Sequence, residues 1–158
     1  MPLDKPALDP AALEGVSRSN YPEPYRSRVL PRDVRRLGDA LGLTRIGVNL
    51  VFLQPGKESS MRHWHTREDE FVFVVAGELV LRTDAGEQLL AAGMCAGFAA
   101  GSTDGHQLLN RSARPAAYLV VSNRDAADSA YYSDADVDMI WSPPHAPGQM
   151  TRRDGTPC

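Results

Sequence analysis

From Ile46 to Leu53 every position except Gly47 and Asn49 is apolar. In an extended chain Ile46, Val48, Leu50 and Phe52 share one face, and Gly47, Asn49, Val51 and Leu53 share the other. A run that is apolar on both faces predicts a strand covered on both sides. Phe71 to Ala76 is a second apolar, β-branched run and is closed by Gly77. Leu79, Leu81 and Thr83 follow with period two, and Asp84-Ala85-Gly86 predicts a turn before Glu87 to Ala91. Shorter runs recur at Met94 to Ala99, His106 to Asn110, Ala117 to Asn123 and Val137 to Trp141. Short strands broken by turns every ~8–12 residues predict an all-β sandwich or barrel. Asp33 to Leu41 stands apart: Val34, Leu37 and Leu41 have helical spacing, with an N-terminal strand as the competing reading.

The ends of the chain lack this pattern. Met1 to Pro24 is rich in Pro, Ala and Asp and predicts an irregular arm with a short helical turn near Ala11 to Val16. Ser142 to Cys158 is Pro/Gly-rich and polar and predicts a loop or loose tail. The expected organisation is an arm over residues 1–26, one barrel over 27–141 and a tail over 142–158. A chain of 158 residues suits one domain with a real core.

Charge and composition narrow the function classes. The net charge is −3, so no basic face is offered to nucleic acid or to an anionic membrane. No apolar run approaches the ~20 residues of a membrane-spanning helix. Met1 to Gly15 carries Asp4, Asp9 and Glu14 and no apolar signal core, so a cytoplasmic location is expected. Cys95 and Cys158 are too far apart in sequence to suggest a disulfide framework. Cys95, in an apolar run, reads as a small buried hydrophobe, and Cys158 as exposed. Twelve prolines and thirteen glycines fit many turns.

The chemistry concentrates between Arg62 and Asn110. His63 and His65 are two apart on a strand-like run, so their imidazoles share a face and can contact one metal ion. Arg62 and Trp64 alternate with them and belong to the other face. Thr66 to Asp69 reads as a turn, with Glu68 and Asp69 as solvated charges. Glu70 then opens the next strand and can return a carboxylate to the same spot. His106, Leu108 and Asn110 share one face of a later run. Three imidazoles and a carboxylate, without thiolate, suit Fe, Mn, Ni, Co or a catalytic Zn rather than a structural zinc. Glu70 has two open roles: ligand, or general base or proton relay just outside the ligand set. Asn49, Met61, Leu108, Asn110 and Tyr118 are candidates for a substrate pocket, together with lining residues Val51, Val72, Val74 and Val120. Arg45 and Arg114 are candidates to neutralise an anionic substrate. His145 reads as a surface residue of the tail.

The segment from Gly56 to Gly77 resembles the first motif of the cupin superfamily: His63-x-His65, four residues, Glu70, six residues, Gly77. Gly93, then Gly101, His106 and Asn110, resemble the second motif, with Ala99 where proline is usual. Ser102 to Gly105 lengthen the usual spacing before His106 by two residues, which a small bulge would absorb. The Asp104-Gly105-His106 element resembles that of small single-domain bacterial cupins. The resemblance spans roughly residues 45 to 125. It implies a double-stranded β-helix (the cupin jelly-roll barrel), one divalent metal held by His63, His65, Glu70 and His106, and a homodimer exchanging the Tyr21 to Leu41 segment. It also implies a metal-dependent enzyme acting on a small polar molecule, of oxygenase or lyase/isomerase type. A non-catalytic barrel that binds or senses a small ligand is the alternative.

Overall fold

The structure is a computed structural model and describes residues 3–142 and 149–158; His145 lies outside them. A 3-10 turn at Pro10–Ala12 precedes α1 (Tyr25–Val29), β1 (Arg32–Arg36), α2 (Leu37–Ala40), β2 (Ile46–Leu53), β3 (His63–His65) and β4 (Glu70–Ala76). Next come β5 (Glu78–Thr83), β6 (Gly86–Ala91), β7 (Cys95–Phe98), β8 (Gln107–Leu109) and β9 (Ala116–Asn123). The chain closes with β10 (Ala130–Tyr132), β11 (Ile140–Ser142) and β12 (Gln149–Thr151). The strand pairings are antiparallel, in orders β1-β2-β9-β4-β7, β6-β5-β8 and β12-β11-β10-β3. A bridge between His63 and His106 joins the last two groups, the residues exchanging N–H···O bonds of 3.2 and 2.9 Å. The fold is therefore the expected all-β jelly roll.

Between the facing sheets Val51, Leu53, Val72, Val74 and Tyr118 pack against Leu79, Leu81, Leu90 and Leu108. Strand alternation fixes which side chains enter this core. On β4, Val72 and Val74 are buried while Phe71, Phe73 and Val75 stay exposed, so Glu70 faces inward with the valines. A second core of Tyr21, Val29, Met61, Tyr132, Val137 and Met139 lies beyond β3.

Several expectations change. Residues 32–36 take the competing strand reading, as an edge strand paired with β2 from Arg32↔Leu53 to Arg36↔Asn49; only Leu37–Ala40 is helical. The open edge of β2 supplies backbone partners to these residues and overrides the helical spacing of Val34, Leu37 and Leu41. Within the single chain, this segment and its neighbours Tyr21 and Val29 pack against their own barrel. The tail is not all loop: β12 pairs with β11, and Met150 packs on the second core. Cys95 is exposed, because β7 is an edge strand whose alternation turns Ala96 and Phe98 inward. Glu68 and Asp69 brace loops: Glu68 accepts from the N–H of Asp125 at 3.0 Å and Asp69 from that of Ala100 at 2.8 Å.

Candidate metal centre

His63 and His65 are two residues apart on β3, and the bridge sets His106 directly opposite His63. Opposed residues of an antiparallel pair place their side chains side by side on one face. The His63 ring accordingly lies 5.0 Å from that of His65 and 4.8 Å from that of His106, between centroids. Glu70 reaches the same spot from the other sheet. Its Oε1 is 3.2 Å from His106 Nε2, and its Oε2 is 3.8 Å from His65 Nε2. One ligand atom each from His63, Glu70 and His106 lie within 4.8 Å of one another. Phe98, paired with Glu70 across the sheet, stacks on the His106 ring at 3.6 Å and 4°.

His106 arrives by a different route from the expected bulge. Residues 102–105 form an open loop, tied down where Asp104 accepts a 2.6 Å hydrogen bond from the N–H of Asp84. Gly105 is required there, since a Cβ at that position would stand 2.0 Å from Ser133 Oγ and 2.9 Å from Ser133 Cβ. The two extra residues are absorbed without displacing His106.

The hydrogen bonds behind the rings fix their tautomers. His63 Nδ1 lies 2.8 Å from the Met61 carbonyl and His65 Nδ1 lies 2.6 Å from Asp128 Oδ2. Both acceptors demand a proton on Nδ1, which leaves each Nε2 with a bare lone pair. Burial above all, then repulsion from His106 and His65, takes the His63 pKa from 6.5 down to about 4 against the pull of Glu70. Burial alone would raise the Glu70 pKa, but the hydrogen bond with His106 and the three imidazoles outweigh it and lower it. A neutral imidazole and a carboxylate are the protonation states that ligate a metal.

This donor set fits a divalent cation. The electron-rich His65 Nε2 and Glu70 Oε2 face each other across a gap too wide for a hydrogen bond. A cation ligated by these groups would compensate the clustered lone pairs and the buried carboxylate.

Asp128 was not legible as a site residue in the sequence. It is fully buried, and it lies 63 positions from His65 along the chain. Its Oδ1 accepts from Thr66 Oγ1 at 3.2 Å and from the N–H groups of Arg67 at 2.8 Å and Glu68 at 3.3 Å, leaving Oδ2 to His65. With His65 and Glu68 it forms a second acidic group of metal-like spacing. Its oxygens, however, are already committed to donors, so it orients His65 from behind.

The first cavity has a volume of about 220 Å³ and opens over His63, Glu70 and His106, with walls that include Val34, Val51, Val72, Leu108 and Val120. Asn49, Leu108 and Tyr118 are among its lining residues. Met61 is not; it is buried in the second core. Asn110 is also elsewhere: it donates to the carbonyls of Leu53 and Arg114, both at 2.8 Å, and accepts from Ser112. Arg45 and Arg114 are exposed and away from the lining, which instead includes Arg32. Burial above all raises the Tyr118 pKa, so its hydroxyl stays protonated. On the opposite face of β3, Arg62 pairs with Asp134 at 2.9 Å and Trp64 stacks on Tyr131.

Comparison with known proteins agrees with this architecture. The cupin-domain family model matches residues 49–122. No curated protein matches the chain. A crystal structure from Silicibacter pomeroyi, described as a sugar phosphate isomerase from a cupin superfamily, is 45% identical. The match covers 97% of this chain and 96% of that one, with a TM-score of 0.91. A structure from Acidithiobacillus ferrooxidans, provisionally described as a sugar phosphate isomerase, is 26% identical over 80% of each chain, with a TM-score of 0.71. A polyketide cyclase from Streptomyces resistomycificus, at 17% identity over 62% of this chain and 68% of its own, shares the fold, with a TM-score of 0.54. With nearly half its residues identical to the Silicibacter structure along almost the whole of both chains, this protein belongs to the cupin superfamily.

Proposed function

We propose that this protein is a metal-dependent isomerase acting on a small, polar, phosphorylated sugar. The observation that carries the reading is the convergence of His63, His106 and Glu70 on the lining of a cavity sized for a small molecule, with His65 Nε2 3.8 Å from Glu70 Oε2. Its direction toward isomerisation comes from the Silicibacter relative, described as a sugar phosphate isomerase. His63, His65 and His106 would hold the cation, with Glu70 just outside the ligand set. A divalent ion there supplies Lewis-acid polarisation of a substrate carbonyl.

The chain's own groups supply the rest. Glu70 is held ionised by its imidazole neighbours, so it can take a proton from the hydroxyl-bearing carbon beside a carbonyl and return it to the carbonyl carbon, while the hydroxyl proton passes to the carbonyl oxygen. Tyr118 keeps its phenolic proton and lines the same cavity, where it can donate a hydrogen bond to a substrate oxygen. The apolar wall of Val34, Val51, Val72 and Val120 excludes water from that proton transfer. Asp128 and the Met61 carbonyl keep the two β3 imidazoles in ligating form.

The test is purification without a histidine tag, elemental analysis, and reconstitution with Fe, Mn, Ni, Co or Zn. Aldose and ketose phosphates are then incubated in D2O, and deuterium uptake at the exchanging carbon is followed by NMR. Stoichiometric metal, deuterium uptake in the wild type and its loss in Glu70→Gln are expected. Tight binding of the sugar phosphate with no exchange under any of the five metals would replace the isomerase with a ligand-binding barrel.

A further inference from the structure

Arg32 is the residue the metal centre leaves unexplained. It sits on the edge strand β1 and lines two neighbouring cavities, the 220 Å³ one above His63 and Glu70 and a second of about 250 Å³ beneath Tyr21 and Tyr132. Its Nη1 donates to the Ser59 carbonyl at 2.8 Å and its Nη2 to the Arg18 carbonyl at 3.1 Å. These bonds hold the guanidinium in one position. Its Nε is buried and has no partner, and among the described residues no carboxylate pairs with it, in contrast to Arg28, Arg35, Arg62 and Arg82. A positioned guanidinium with an idle donor and no counter-ion is poorly compensated as it stands. Its planar fork matches the oxygens of a carboxylate or phosphate. Asn49 and Ser60 add polar groups to the same lining.

We propose that Arg32 anchors the anionic group, phosphate or carboxylate, of a ligand whose other end lies at the three-histidine centre. This assignment rests on the substrate reading above for the phosphosugar, but the anion site itself stands on Arg32 alone. Arg32 holds the charged end of the ligand, and the His63, Glu70 and His106 end receives its neutral, oxygen-bearing part. Neutral analogues of the same ligand therefore bind weakly.

The experiment measures binding by calorimetry to wild type, Arg32→Met and Arg32→Lys, each with metal content and unfolding temperature recorded. The probes are inorganic phosphate, acetate, ribose 5-phosphate and ribose. Ribose 5-phosphate should bind wild type at least tenfold tighter than ribose. Arg32→Met should remove that difference with metal content unchanged, and Arg32→Lys should recover part of it. The phosphate and acetate arms distinguish the two anion chemistries. Should Arg32→Met fold poorly, the Nε–H resonance of Arg32 in the wild type should still shift on adding the anion that binds. An Arg32→Met affinity within twofold of wild type, a wild type that binds no anion at millimolar concentration, or an unmoved Nε–H resonance overturns the anchor. Arg32-dependent anion binding by a protein without turnover keeps the anchor and sinks only the isomerase.

Discussion

Replacing Asp128 with asparagine isolates one link between the fold and the metal centre. The three donors that hold this side chain in place, from Thr66, Arg67 and Glu68, all reach Oδ1, whereas His65 Nδ1 alone reaches Oδ2, at 2.6 Å. An amide keeps an acceptor at Oδ1 and presents an NH2 group where Oδ2 stood. That donor meets the Nδ1–H of His65, so the imidazole must move its proton to Nε2, the atom that faces Glu70. The metal-ligating lone pair is then lost, or regained only against a donor–donor contact. The forfeited charge-assisted hydrogen bond corresponds to ~1.5–3 kcal/mol, or roughly a 10- to 100-fold weaker metal affinity. The fold should lose less, because the Oδ1 bonds survive and an Nε2–H can turn toward Glu70. The assay is a competitive metal titration against a chromophoric chelator, with the His65 tautomer read from imidazole 15N shifts and unfolding followed in parallel. Metal affinity within threefold of wild type, with His65 still protonated on Nδ1, refutes the orienting role.

Three further outcomes are expected. His63→Ala combined with His65→Ala should abolish stoichiometric metal while leaving a folded barrel, measured by elemental analysis and circular dichroism; retained metal would place the site elsewhere. Metal-free protein should lose stability on acidification, because His63 titrates at about 4 when folded and at 6.5 when unfolded. In that window the unfolded chain carries a proton the native one does not, so stability falls as pH falls, by at most roughly 3 kcal/mol. The lowered pKa of Glu70 acts in the same direction below the ordinary carboxylate range, and urea unfolding that is flat between pH 7.5 and 4.5 would contradict the His63 assignment. Gly105→Ala should cost ~1–3 kcal/mol by overpacking against Ser133 and weaken metal binding through His106, whereas an unchanged unfolding temperature would mean the loop yields freely.

The sequence by itself determined whatever depends on local spacing. Period-two alternation placed His63 and His65 on one face and Glu70 with Val72 and Val74, and apolar runs broken by Gly, Pro and Asp gave the β-rich barrel. These features survive because a strand's alternation is the same in any tertiary setting. Tertiary structure decided what depends on partners distant in the chain. Asp33 to Leu41 has helical spacing beside its strand reading, and the free edge of β2 decides for a strand over residues 32–36 and turns Arg32 toward the cavity. Asn110 fits the lining face by alternation, yet the backbone carbonyls of Leu53 on β2 and of Arg114 claim its amide. Cys95 has apolar neighbours in sequence, and only its place on the edge strand β7 exposes it. Asp128 carries no motif at all; its role arises because β10, which follows it, pairs with β3 and brings its carboxylate behind His65. The His106 spacing needed both levels. The motif marked the residue, but only the loop held by Asp104 and the bare Cα of Gly105 could show that two extra residues leave its ring beside Glu70.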